Sequence, residues 1–137
     1  MNSFSRTTDL LHRAMDVNTL RYQTTANNLA NAEVPNFKRS EITFESELKK
    51  ALDAEARMKT AFPLELTNER HIANNVAPDY REIQPRRALD YTSTVKANGN
   101  NVDAEEEAMN LLKIQLNYTL LTQMQAFEFN QALSVLR

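Results

Sequence analysis

Apolar residues recur at helical spacing at both ends of the chain and lose that rhythm in between. From about Thr8 to Glu33, Leu11, Met15, Tyr22 and Leu29 fall on one stripe, with Ala26 beside it, as on the buried face of an amphipathic helix. Polar Asn18 and Thr25 interrupt that stripe; a polar residue in an apolar seam costs stability and can fix register and partner number. Val34-Pro35 ends the segment, because proline disfavours the helical conformation in the residue before it.

A second helical segment is announced by Gly99-Asn100-Asn101-Val102-Asp103, followed by Ala104 and three glutamates. Asp103 reads as the N-cap. Its carboxylate can accept from the free amides of the first turn, with Glu106 reaching back in an acidic capping box worth about 1 kcal/mol. Glu105, Glu106 and Glu107 suit the positive end of a helix. From there the pattern stays helical to Arg137, with apolar residues on two faces. Met109, Leu112, Leu116, Leu120 and Phe127 form one; Leu111, Ile114, Tyr118, Leu121, Phe129 and Leu136 form the other. One partner helix cannot cover both. Between Ile114 and Leu136 the only charged residue is Glu128, and the remaining polar positions are mostly Gln, Asn and Thr, which can be buried when hydrogen-bonded. This is the profile of a helix enclosed by other helices.

Residues 36–98 are rich in Arg, Lys and Glu, carry three of the four prolines and show no sustained period. A short amphipathic helix is expected over 45–58 through Phe44, Leu48, Leu52 and Ala56, and Tyr91 to Lys96 alternates like a short strand or extended arm. The expected fold is therefore mainly α. Its long N- and C-terminal helices (1–35 and 99–137) pair as an antiparallel, coiled-coil-like hairpin, and an irregular middle arm (36–98) carries a short helix and minor β or extended structure.

Composition narrows the chemistry. One glycine in 137 residues is too few for a fold of tight turns and removes any glycine-rich phosphate loop. A net charge of −2, from 16 basic and 18 acidic residues, gives no electrostatic case for nucleic acid or an anionic membrane. Without cysteine, disulfides, thiol catalysis and the usual structural zinc sites fall away. The start of the chain interleaves polar and single apolar residues, so no Sec-type signal is expected, and no stretch reaches the roughly 18 apolar residues of a spanning helix.

The candidate chemical groups are sparse. His12 and His71 are the only histidines, and neither has a ligand partner at metal-binding spacing. The Glu105–Glu107 run would need burial and a fixed counterpart to act as an acid or metal site; helix-start electrostatics accounts for it more simply. Arg81, Arg86, Arg87 and Lys96 are balanced by Asp79, Glu82 and Asp90 and read as a solvated or interface face. No catalytic, metal or cofactor residue is assigned, and an enzyme is not expected. The apolar positions Leu11, Met15, Tyr22, Leu112, Leu116, Leu120, Leu121, Phe127 and Phe129 are expected at helix-packing interfaces. Two helices paired with each other leave one apolar face bare, and an exposed stripe of that size marks association.

The run from Ala26 through Asn27, Asn28, Leu29, Ala30, Asn31, Ala32, Glu33 and Val34 to Pro35, Asn36, Phe37, Lys38 and Arg39 closely resembles the N-terminal signature of bacterial flagellar rod and hook proteins. That family carries Ala-Asn-Asn-hydrophobic-Ala-Asn followed by Pro-Gly-Tyr. Here Asn36 and Phe37 replace the Gly and Tyr; Asn tolerates the left-handed conformation that Gly often supplies, and Phe keeps the ring. Asn100, Asn101, Val102 and Asp103 resemble the second family signature, the lead-in to the C-terminal helix. Ser46 to Lys50 and the His71-Ile72 neighbourhood are weaker echoes of the family's middle.

The resemblance implies a structural subunit of the flagellar basal-body rod, of the proximal kind by its length, in which the terminal helices self-assemble into a helical tube carrying torque from motor to hook. It implies other copies of the chain, the rod proteins FlgC, FlgF and FlgG, FliE, the basal-body ring FliF and the flagellar export apparatus as partners. It also implies a place in the periplasmic rod, reached without a cleaved signal peptide. With the two signatures set aside, the same helices would suit a coiled-coil adaptor or secretion chaperone that binds one soluble partner.

Overall fold

The computed structural model describes residues 3–61, 68, 70, 78–93 and 96–136. Three helices and two short strands follow in the order α1 (Ser3–Ala30), β1 (Ser40–Thr43), α2 (Glu45–Thr60), β2 (Arg86–Leu89) and α3 (Ala104–Val135). The chain divides into two compact units, Met1–Ile42 with Arg87–Arg137, and Thr43–Arg86.

In the first unit α1, of 28 residues, packs along α3, of 32. Their direction follows from three contacts. The ring of Phe4 meets that of Phe129 edge to face at 5.8 Å, Asn18 Nδ2 donates to the Ile114 carbonyl at 2.8 Å, and Asn28 Nδ2 donates to Glu107 at 3.2 Å. As numbers rise on one helix they fall on the other, so the pair is antiparallel. The first of these contacts also explains why α1 begins at Ser3 and not near Thr8: Phe4 holds the extra turn against α3.

At its other end α1 stops at Ala30, three residues before Glu33, and residues 31–36 continue as turns. Asn31 Nδ2 bonds back to the Asn27 carbonyl at 2.7 Å, a local side-chain bond of the kind that competes with helix propagation. Buried positions on α1 are Leu11, Val17, Asn18, Thr25 and Asn28. Leu11, Asn18 and Thr25 lie seven residues apart, so two of the three positions repeating along the seam are polar.

On α3, Leu111, Ile114, Leu121 and Gln125 are half-buried, which by helical spacing is the side towards α1. Asp103 is the N-cap, its Oδ1 accepting from the amides of Glu105 (2.9 Å) and Glu106 (3.4 Å). The return bond from Glu106 is not among those formed by the described residues; that side chain stays exposed.

The strands pair as a two-stranded sheet. The Asp90 amide donates to the Arg39 carbonyl and the Thr43 hydroxyl to the Arg86 carbonyl, so the strands run antiparallel. Ser40 and Ile42 point inward while Glu41 and Thr43 point out, the alternation of a strand with one wet face. The sequence pattern puts an extended element at Tyr91 to Lys96, of which Thr94 and Val95 lie outside the described residues; among the described residues the strand lies at Arg86–Leu89. The reason is Asp90, whose carboxylate accepts from the Thr92 amide and hydroxyl and from the Ser93 amide and hydroxyl, curling residues 90–93 into a turn. In the second unit, α2 spans Glu45–Thr60 and buries Ala51, with Leu48 and Leu52 half-buried and Ala56 exposed. Among the described residues, Phe44 and Tyr80 are its other buried apolar residues.

Candidate functional site

The two signature segments, about 70 residues apart in sequence, meet in space. They form a polar joint at the end of the helix pair, where α1 ends, β1 begins and α3 starts. Asn28, Asn100 and Val102 are completely buried there, and Ser40, Asn101 and Glu107 nearly so. Few polar groups are buried this deeply unless every one is partnered, and here they are.

Asn100 caps the turns that follow α1. Its amide nitrogen donates to the carbonyls of Asn31 (3.0 Å), Ala32 (3.0 Å) and Val34 (2.8 Å), while its oxygen accepts from the Val102 amide at 2.7 Å. Carbonyls left over at a helix C-terminus need such a donor, and here it comes from the other signature. Lys96 Nζ adds a bond to the Ala32 carbonyl and pairs with Glu33.

Asn101 joins the joint to the chain leaving β2. Its oxygen accepts from the Arg39 amide at 2.7 Å, and its nitrogen donates to the Asp90 carbonyl and the Ser93 hydroxyl. The Ser93 hydroxyl, then the Thr92 amide, hold the Asp90 carboxyl well below the usual carboxylate range. Asn28 faces Ser40 as a backbone-like pair, donating to its carbonyl (2.8 Å) and accepting from its amide (3.1 Å). The same Asn28 amide reaches Glu107.

Glu107 is the acid that the sequence pattern groups with its neighbours as a helix-start charge. Glu105 and Glu106 are exposed, but Glu107 is 1% exposed and bound to Arg39 Nε. Burial by itself would lower the Arg39 pKa; the hydrogen bond and charge of Glu107, with Glu41 adding, outweigh it and leave it raised. The signal that separates Glu107 is positional. It lies on the α1-facing side, seven residues before Ile114, where a carboxylate needs a partner.

Asn36 and Gly99 lock the back of the joint. Asn36 has φ of 58° and Gly99 of 80°, so Asn takes the left-handed conformation at the position where the resembled family has Gly. The Asn36 amide donates to the Asn98 carbonyl at 3.1 Å. A Cβ on Gly99 would lie 2.6 Å from the Asn36 side-chain oxygen; the positive φ favours glycine here, and any larger residue would also have to displace the Asn36 side chain.

The remaining expected site residues are placed as follows. Asn27 and Ala30 are exposed on α1, Asn31 and Leu29 half-buried, and Pro35 exposed in the turn. Leu11 is buried and Met15 half-buried against α3, whereas Tyr22 is exposed at the edge of the pair. Leu121 is half-buried; Leu112, Leu116, Leu120, Phe127 and Phe129 are exposed. Of the basic residues, Arg87 donates to the Ser40 hydroxyl at 2.8 Å and Lys96 belongs to the joint, while Arg86 lies on the exposed β2. His12 is exposed and His71 lies outside the described residues.

Among the described residues no three His, Asp or Glu side chains gather as a metal site, and no helix is long and apolar enough to cross a membrane. The geometry is that of a fastened joint with an uncovered helix beyond it.

No protein-family model matches the chain. It is 41% identical over 137 residues to the flagellar basal body rod protein FlgB of Borreliella burgdorferi, with the whole of both chains covered. Against FlgB of Borrelia hermsii the identity is 39% over 137 residues, again the whole of both. Against FlgB of Bacillus subtilis it is 28% over 138 aligned positions, covering 99% of this chain and 97% of that one. Full-length likeness to structural rod proteins displaces the soluble adaptor as a reading of the helices. The chain belongs to the FlgB family of flagellar basal body rod proteins.

Proposed function

We propose that this chain is a proximal rod subunit whose terminal helices associate with other copies and other rod proteins into a helical tube that carries torque from motor to hook. The observation that carries this reading is the outer face of α3. Met109, Leu112, Leu116, Leu120 and Phe127 are 55–71% exposed and form an apolar stripe on the side away from α1, with exposed Lys113, seven residues before Leu120, at its edge. A patch of that kind on a folded chain marks an association surface. Burying it at about 25 cal/mol per Å² supplies assembly energy through many small contacts, and close-packed side chains pass strain on without a single strong site.

In this reading residues 1–35 and 99–137 build the rod core, 36–98 form an outer arm, and the joint ties the arm's base to both helices. The neighbours are FlgC, FlgF, FlgG, FliE and the FliF ring, and the subunit reaches the periplasmic rod through the flagellar export apparatus without signal cleavage. The joint supports the force-bearing role, since its buried bonds connect three elements that would otherwise shear past one another.

The test is Leu120→Glu and Phe127→Glu, each of which places a charge on the stripe while leaving the α1-facing side intact. Export is expected to continue and rods to be absent from purified basal bodies. Normal rods from either variant would overturn the assignment.

A further inference from the structure

The two flanks of the α1–α3 pair differ in chemistry, and they differ at the same height. On one flank a notch of about 270 Å³ is lined by Asn18, Thr19 and Tyr22 of α1 and Ile114, Gln115 and Tyr118 of α3. On the other, a groove is lined by Arg21 and Thr24 of α1, Asn110, Lys113 and Ile114 of α3, and the segment from Arg39 to Ile42, which carries one acid in Glu41 beside the three cations. One residue step turns a helix by about 100°, which is why Arg21 and Tyr22, like Lys113 and Gln115, fall on opposite sides of the seam. Ile114 lines both, so notch and groove lie level along the helix axes.

Two of the three cations on the basic flank are already held. Arg21 Nε and Nη2 donate to the Ile42 carbonyl at 3.4 and 3.3 Å, and Arg39 is bound by Glu107 and Glu41. Lys113, exposed, makes no hydrogen bond or ion pair with any described residue. Across the pair, Tyr22 and Tyr118 stand half-exposed around a notch that has room for one long side chain. Tyrosine faces attract an ammonium group, the amide oxygens of Asn18 and Gln115 are acceptors for it, and the apolar wall suits its methylene stem.

We infer that these flanks are the two halves of one contact between copies of this chain, with Lys113 of one subunit seated between Tyr22 and Tyr118 of the next. A neighbour generated by rotation about an axis parallel to the helices, with little axial shift, presents its Lys113 at the height of the notch. Such a contact joins unlike flanks, so it does not close at two and can propagate around a ring or helix. It leaves the α3 stripe uncovered for a different neighbour. The inference rests on the reading that the chain assembles with itself, and it adds which sides meet.

The chain has no cysteine, so introduced thiols report one contact each. Asn110→Cys, one turn from Lys113, and Thr19→Cys, at the rim of the notch, keep Lys113 and both tyrosines in place; they are prepared separately, and each is oxidised alone and as an equal mixture with the other. The mixture is expected to give a cross-linked dimer that neither variant gives alone. There, Tyr118→Leu in the Thr19→Cys chain should lower the mixed yield about tenfold, the size of a largely desolvated cation–π contact, and Tyr118→Phe should restore it. Equal yields from single and mixed samples, or equal effects of Leu and Phe, would overturn the contact. Oligomers that depend on Leu120 yet give no mixed cross-link would overturn it while leaving the rod reading in place.

Discussion

Glu107 shows how much a single carboxylate can depend on its surroundings. Its two neighbours are solvated charges at a helix start, while it is buried against Arg39 and Asn28. Removing one member of a buried ion pair leaves the other uncompensated and costs about 3–5 kcal/mol when both are fully enclosed. Arg39 keeps 22% of its side-chain exposure and a second acid in Glu41, so Glu107→Gln is expected to lower stability by about 2–4 kcal/mol in chemical denaturation. Replacing the pair jointly, by Arg39→Met with Glu107→Leu, should recover most of that loss. Asp90 gives a pH-dependent counterpart. Its pKa is held down by Ser93 and Thr92 in the folded chain, so its contribution is present above the ordinary aspartate value of about 4 and is lost as pH falls below it. Asp90→Asn should therefore be less stable than the native chain at neutral pH, and the gap should narrow in acid melts below about pH 4.

At the scale of elements, what could be read locally and what could not are separated by the range of the interaction. Asp103 as N-cap, the end of α1 before Pro35, the left-handed Asn36 and the helix over 45–58 all depend on residues within one or two turns, and the chain spells them out. The strand at Arg86–Leu89 depends on β1, more than 40 residues earlier, and its four exposed residues leave no alternation to read. The α1–α3 seam is intermediate. Its polar positions are visible as interruptions of the stripe, but only the packed pair shows which are satisfied. Asn18 has a partner in the Ile114 carbonyl. Gln125, on the same side of α3 as Ile114, has both amide atoms buried with no hydrogen-bond partner among the described residues. An unsatisfied buried polar group costs about 1–3 kcal/mol. Gln125→Leu is accordingly expected to stabilise the helix pair by about 1 kcal/mol or more, seen as a higher thermal midpoint; an unchanged or lower midpoint would mean the amide is satisfied.

For the molecule as a whole, the most deeply buried part of the helical unit is the polar joint, while one apolar face of α3 meets α1 and the other faces outward. On the proposed rod reading, that outward apolar layer is completed by neighbours. Since the stripe is apolar but for Lys113 at its edge, association through it should depend little on ionic strength, whereas pairing of exposed ions is screened by salt. The Leu120→Glu variant should lose assembly at low and high salt alike, measured by sedimentation of the purified chain beside rod recovery from cells.

Helical class, the two terminal helices, the Asp103 cap and the family signatures were determined by the sequence alone, because each is written in contacts between near neighbours or in period. Tertiary structure decided that the signatures face each other and that Asn100 serves the end of α1. It also decided that Glu107 is buried while Glu105 and Glu106 are not, and that the strand precedes Asp90. Each of those outcomes pairs residues dozens of positions apart, and no local pattern encodes a partner whose position is set only when the chain folds back on itself.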